Sequence, residues 1–439
     1  MTYLASLLLG AAVAGELFCD TTLAEREAYA QYVTSNLTAQ GWTVEKGNFK
    51  FLANSTSFGA NPGNPYGVYE KRKLMVLDLP VFKLDEREVI LNLACTPPEA
   101  AYFSWRSYVF SQGFSLLFAS LGDSLNNLVV NTTTGTYSST TAVLTSADAT
   151  SIDAVSAQLG RAGFPLNAVN VDRIPSSLIN MKEDRFMMLH RASVFQNQSQ
   201  KAEYYQTTYP VYFLTPPSST AFDPLPVVPL RKQGDGHREQ DISGLIEGLQ
   251  LLNTSLIGSM KDTGKLVRAL TMQDKFLDGF TCIKEHTNCL GDNHDTHYLT
   301  AKEFHPLGEN DVWVVYGTNN VNTGKCVYNN LGLYYGSAAS FKSTTTSVNH
   351  HAWEGSASAF APSLPESVAK NLFAFLVSRD CSKFSTAPFA RFCVELPVKD
   401  VSLSEDVTLA YRTYLEPATK TAPALSEIVF PSVLYFKGP

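Results

Sequence analysis

The stretch from Thr141 to Val171 restricts the fold more than any other, because it reads as strand, helix and strand in succession. Thr141–Thr145 is a strand candidate, and Asp148 or Thr150 stands where a helix N-cap would. Over residues 151–162, Ile152, Val155 and Leu159 form one apolar stripe, and Gly163 ends the helix. Ala168–Val171 then returns as a strand. Such a connection calls for a layered sheet with helices on its face.

The rest of the chain carries the same kinds of signal. Thr22 and Glu25 have capping-box spacing at the start of an amphipathic helix that Gly41 closes. Residues 54–66, rich in Gly, Pro, Asn and Ser, read as a loop. Leu74–Leu77 and Val89–Leu93 read as buried strands, Tyr102–Phe110 is aromatic with partial alternation, and Leu116–Ser120 is a further apolar run. Five of the 22 prolines fall between Pro216 and Pro229, followed by the polar stretch Arg231–Gln240. A crossing segment is therefore expected at 216–240, between an N-terminal α/β lobe (15–215) and a C-terminal one (241–439).

In the second lobe, Ile242, Leu245, Ile246, Leu249, Leu252 and Leu256 predict a core-facing helix over 241–257. A polar loop is expected over 282–310, then a strand at Val312–Tyr316 and an aromatic run at Leu331–Tyr335. A helix is expected at Pro365–Val377, with strands near Phe392–Leu396 and Leu409–Tyr414. Val89–Phe110 and Trp313–Tyr335 share a layout, which raises the expectation of two similar lobes, a pseudo-repeat. The expected fold class is α/β or α+β, with mixed sheets and flanking helices.

The chain begins with an apolar run, Leu4–Val13, followed by Ala12-Val13-Ala14 as a small-x-small cleavage pattern. Residues 1–14 thus read as a signal peptide, and the expected location is secreted or in an endomembrane lumen. Five Asn-x-Ser/Thr sequons, at Asn36, Asn54, Asn131, Asn197 and Asn253, fit a glycoprotein. The seven cysteines are too few to build a disulfide scaffold; Cys282 with Cys289, and Cys381 with Cys393, are spaced to close short loops. Lys and Arg total 34 against 41 for Asp and Glu, with no basic run, so nucleic acid is not an expected partner. No later stretch reaches the ~18 apolar residues of a spanning helix. Walker A, G-x-G-x-x-G after a strand, and kinase or haem-attachment signatures are all absent.

Six of the eight histidines fall between 286 and 351, and the segment from Cys282 to His297 gathers carboxylates and imidazoles beside the Cys282–Cys289 spacing. Asp292 and His294, completed from a distant loop by His350, His351 and Glu354, form a candidate divalent-metal site (zinc, manganese or calcium). Asp295 and His297 are candidate base or ligand residues. In a solvated loop, the same Asp and Asn side chains would instead bond their own backbone. Arg106, Asn319, Asn320 and Lys325 are candidate substrate-binding residues, the first on an alternating face with Tyr102, Ser104 and Tyr108.

Gly122-Asp123-Ser124-Leu125, directly after an apolar run, resembles the first block of the GDSL (SGNH) esterases, and Gly308-Glu309-Asn310-Asp311 resembles their G-x-N-D block. That resemblance implies Ser124 as nucleophile and Asn310 as an oxyanion donor. The family's D-x-x-H base is missing, since no histidine here has an aspartate three residues before it. The leading expectation is an exported enzyme, a hydrolase or lyase, acting on a small molecule or glycan through residues 291–298. A Ser124 esterase and a non-catalytic secreted binding protein are the alternatives.

Overall fold

A computed structural model describes residues 18–52, 61, 65–71, 80–274, 277–301, 305–337, 340–384 and 389–438. The first half contains α1 (Leu23–Ala39), β1 (Thr43–Phe51), β2 (Gly67–Glu70), β3 (Val89–Cys95), β4 (Ala100–Gln112) and β5 (Ser115–Ser120). It continues with β6 (Leu125–Asn126), β7 (Thr140–Ser146), α2 (Ala149–Arg161), β8 (Val169–Arg173), β9 (Arg185–Phe195), α3 (Gln198–Tyr204) and β10 (Thr208–Thr215). These ten strands make one mixed sheet in the order β5-β4-β9-β2-β1-β10-β3-β7-β8, with β6 also on β4.

The strand–helix–strand unit forms as read. β7 and β8 pair in parallel, and the Asp148 side chain caps α2 by accepting the Ser151 amide. The Thr22–Glu25 capping box is present on α1. Both helices cover one outer face of the sheet, where Val33, Leu37, Leu91, Leu144, Val155 and Leu159 pack together. The sheet curls into a half-barrel filled by Phe49, Phe103, Trp105, Phe186 and Phe213. Its curl is tight enough that Asp172, on the β8 edge, meets Arg106 of β4 at 2.8 Å.

The second half contains α4 (Leu245–Met260), β11 (Lys265–Thr271), β12 (Gln273–Asp274), α5 (Gly279–Glu285), β13 (Thr296–Thr300), β14 (His305–Pro306), β15 (Val312–Thr318) and β16 (Tyr328–Ser337). After these come β17 (Ser340–Asn349), α6 (Ser356–Phe360), α7 (Glu366–Ala369), β18 (Leu372–Ser378), β19 (Cys393–Glu395), β20 (Asp406–Tyr414) and β21 (Ser432–Lys437). Two sheets result, β11-β21-β15-β18-β19 and β12-β13-β20-β16-β17, with β14 added to β20. Their shared core includes Leu252, Val314, Leu331, Trp353, Phe373 and Leu409. The two segments of similar layout are arranged differently: β3 and β4 share one sheet, whereas β15 and β16 lie in separate sheets.

Two expectations about secondary structure are corrected. The helix read over Pro365–Val377 is only the four-residue α7, followed by the strand β18. β18 is buried throughout and paired on both edges, so its LFAFLV run is continuously apolar and lacks the alternation that would mark a half-exposed strand. The region 282–310 is not all loop: it holds the end of α5, where Asp278 caps by accepting the Thr281 amide, and all of β13. The run Leu74–Leu77, residues 1–14 and Asn54 lie outside the described residues.

Cys282–Cys289 and Cys381–Cys393 are disulfides, as their spacing suggested, and Cys19–Cys95 is a third; Cys326 is a buried thiol. Among the described residues no helix is long and apolar enough to cross a membrane. The segment from α5 to residue 291 leaves the second half and lies along β5. The Cys289 and Gly291 amides donate to the carbonyls of Leu117 and Phe118 at 2.7 and 2.8 Å. Gly279 is required there, because a Cβ would sit 2.0 Å from the Ser120 carbonyl oxygen.

Candidate anion site between the lobes

The His/Asp-rich loop runs through the junction of the two halves, and its side chains are engaged. Asp292 accepts from the Ser120 amide and hydroxyl at 2.7 and 2.6 Å. Asp295 accepts from the Tyr102 hydroxyl at 2.9 Å and from Asn126 Nδ2 at 2.8 Å. Burial outweighs these bonds and pushes both carboxyls up to about 6. His294 Nε2 donates to the Arg231 carbonyl at 3.0 Å. His297 donates from Nε2 to the Pro423 carbonyl at 2.7 Å, and its Nδ1 lies 3.0 Å from Asp274 Oδ2.

Ser124 joins this seam, buried, with its hydroxyl donating to Asn293 Oδ1 at 3.1 Å rather than to a histidine. Asn310 accepts from Lys383 Nζ at 2.8 Å, and Asp311 from the Tyr435 hydroxyl at 2.6 Å.

The other sequence candidates are scattered. The rings of His350 and His351 lie 4.1 Å apart, tilted by 40°, beside β17, and His351 is 3.5 Å from Glu354. Among the described residues, one group of three His, Cys, Asp or Glu side chains brings its ligand atoms within 4.8 Å of one another: Asp235, Glu416 and Glu427. None of these belongs to the set Asp292, His294, His350 and His351. Lys325 Nζ fills the centre of that group, 2.7, 2.9 and 2.8 Å from the three carboxylates. Its three N–H donors are matched one to one, leaving none over for a substrate anion. Arg106 pairs with Asp172 and donates to the Asp123 carbonyl at 2.8 Å. Asn320 donates to Glu239 at 2.8 Å and accepts from the Tyr411 hydroxyl at 2.6 Å, and Asn319 Oδ1 accepts the Val321 amide.

A different pair of arginines lies where the two halves face each other. Alternation on β9 puts Arg191 opposite Ser104, on the outer face of the half-barrel with Tyr102 and Tyr108. Arg412 of β20 lies opposite Tyr298 of β13 and Asn330 of β16. Both arginines are buried. The Arg191 guanidinium stands 4.9 Å from the Tyr66 ring centroid and 5.3 Å from that of Tyr108. The Arg412 guanidinium is 5.2 and 5.3 Å from the rings of Tyr298 and Tyr334, and donates to the Tyr334 hydroxyl. Tyr102 packs on Tyr414 at 4.7 Å, and Tyr414 stacks on Tyr328 at 5.1 Å.

Arg191, like Arg106, has two guanidinium nitrogens without a hydrogen-bond partner among the described residues, but unlike Arg106 it forms no ion pair among them. Its Nη2 reaches the Gly291 carbonyl at 3.5 Å, and Nε and Nη1 have no partner of good hydrogen-bond geometry among the described residues, the Tyr66 and Tyr108 phenols being the polar groups that interact with the guanidinium. Buried charged donors left unmatched are costly and rare, and they mark places where an ion, water or ligand completes the network. The Tyr66 phenol tells the same story. Burial pushes it up, but Arg191 and then Arg412 outweigh that and hold it below the ordinary phenol value, helped by the Asn61 amide donating to Tyr66 Oη at 3.1 Å. The His/Asp-rich loop borders this arginine–tyrosine cluster through the Gly291 carbonyl, the Asp292 carbonyl (which accepts from Tyr108 at 2.9 Å) and Tyr298.

Sequence reading missed Arg191 and Arg412. The available signal was an arginine inside an otherwise apolar or aromatic strand, RFMMLHRASVF and DVTLAYRTY, the same signal that singled out Arg106. Comparison with known protein families and with curated proteins finds no match to this chain.

Proposed function

We propose that this protein binds a small, hydroxyl-rich organic anion, a carboxylated or sulfated sugar, between its two lobes. Arg191 and Arg412 hold the anion; tyrosine hydroxyls with Asn61 and Asn330 serve the hydroxyl groups. The observation that carries this reading is Arg191, a buried guanidinium that forms no ion pair among the described residues and stands among tyrosine rings. Guanidinium forks fit carboxylate and sulfate geometry, and such pairing would supply the missing acceptors. Three disulfides support an oxidising location, outside the cell or in a secretory lumen. Asn131 and Asn197 are exposed, as glycan attachment requires.

Calorimetric titration of galacturonate and of sulfate tests this reading. Saturable binding is expected, weakened at least about tenfold in Arg191→Met and Arg412→Met and partly kept in Arg191→Lys. Binding unchanged in folded Arg191→Met would refute it.

Tyr66 favours a second, catalytic reading on the same site. Deprotonated to the phenolate beside both guanidiniums, Tyr66 would take the proton α to the held carboxylate. The electrons of that C–H bond form a C=C bond, and the β-carbon–oxygen bond breaks with its pair. The proton then passes from Tyr66 to the departing oxygen, so the net reaction is a lyase elimination. Tyr66→Phe should abolish the ultraviolet absorbance of the unsaturated product while leaving ligand binding in place. Equal turnover in that variant would exclude Tyr66 as the base.

A further inference from the structure

A cavity of about 290 Å³ lies at the surface where the two halves meet. The first half contributes Gln198 and Lys201 of α3, and the second Tyr328, Ser347, Asn349 and His351. It adjoins the arginine–tyrosine cluster through shared side chains. Tyr328 lines the cavity and stacks on Tyr414, its direct partner across β16 and β20. Ser347 lines it too and accepts from Asn330 Nδ2 at 2.9 Å, and Asn330 is the residue opposite Arg412 in the β16–β20 register. Asn61 closes the link: its Oδ1 accepts from Asn330 at 2.9 Å and its Nδ2 donates to the Tyr328 hydroxyl at 3.3 Å.

The chemistry of the cavity and of the adjoining cluster differs in a way that fits a longer ligand. The cluster offers buried guanidiniums. The cavity offers amide and hydroxyl side chains, which both donate and accept as a sugar's hydroxyls do, beside an aromatic wall. Lys201 supplies positive charge at its rim, whereas His351 already has Glu354 at 3.5 Å.

We infer that the cavity is an outer subsite and that the ligand is an acidic oligosaccharide. One anionic sugar sits on Arg191 and Arg412, and its neighbour lies in the cavity against Tyr328, Gln198, Ser347 and Asn349, with its charge toward Lys201. This inference rests on the anion reading above and adds chain length to it.

The test is calorimetric titration of galacturonate and of its trimer into the wild type and into Gln198→Ala/Lys201→Ala, two positions on the surface helix α3. The wild type should bind the trimer at least about tenfold more tightly than the monomer. The double variant should lose that gain while binding the monomer unchanged. A trimer no tighter than the monomer, or a gain surviving in the double variant, overturns the outer subsite and leaves the anion reading standing. Monomer binding that ignores Arg191→Met overturns the anion reading itself. A sulfated galactose trimer run alongside distinguishes sulfate from carboxylate: preference for either upholds the subsite, and binding of neither trimer overturns it.

Discussion

Two buried ionic clusters in this molecule make opposite use of charge. Around Lys325, three carboxylates share one ammonium, and each of its three N–H donors has an acceptor within the chain. Around Arg191, two donor nitrogens lack a partner of good hydrogen-bond geometry among the described residues, and the neighbours are tyrosines. The first arrangement is closed and holds structure: it pins the crossing segment at Asp235 to the loops carrying Glu416 and Glu427. The second is open, with positive charge left over in a buried place. A sequence shows both as isolated basic residues among apolar ones. Only the partners tell them apart: Lys325, a substrate-binding candidate by sequence, directs its donors to three carboxylates of the chain itself.

The contrast can be broken most forcefully at the closed cluster. Lys325→Met leaves three carboxylates crowded without their cation and should cost about 3–5 kcal/mol in chemical denaturation. It should not alter anion affinity in whatever fraction remains folded. A loss below about 1 kcal/mol would mean the cluster is solvated and not a clasp.

The next effect is a pH dependence. Asp292 and Asp295 have folded-state values raised from 3.8 to about 6. A raised carboxyl binds its proton more tightly in the folded state, so the stability it contributes is complete below pH 4 and is lost as pH rises through 6. Each group accounts for up to about 3 kcal/mol of that loss. Melting temperature should therefore fall between pH 4 and 7, with a shallower slope in Asp295→Asn. An unchanged slope would place the titration elsewhere. Asp235 and Glu427 run the other way: Lys325 holds them below their ordinary values, so their contribution is lost only in stronger acid.

The smallest effect on stability is expected at the open cluster. Arg191→Met removes a buried charge with unmatched donors and should shift ligand-free stability by less than about 1 kcal/mol, or raise it. A loss as large as that of Lys325→Met would show that Arg191 is as internally satisfied as Lys325.

Local chemistry was the legible part of this sequence. Caps, the β7–α2–β8 unit and the two disulfides with short loops depend on residues at most about thirty apart, and their signals are self-contained. Cys19–Cys95 joins residues 76 apart, and no spacing rule finds it. β18 was misread because a strand buried on both faces lacks the alternation that reveals strands. The His/Asp-rich loop stands out in the sequence by composition, and most of its polar groups bond to others at the junction of the two halves. The arginine pair arises only when β9 and β20 face each other, which no periodicity in either strand encodes.

The most direct test of the anion site is anomalous diffraction from crystals soaked in selenate, a heavy mimic of sulfate. The account predicts a selenium peak between Arg191 and Arg412, absent in Arg191→Met crystals treated the same way. An arginine pair without selenium, in crystals whose selenate binds elsewhere on the protein, would contradict it.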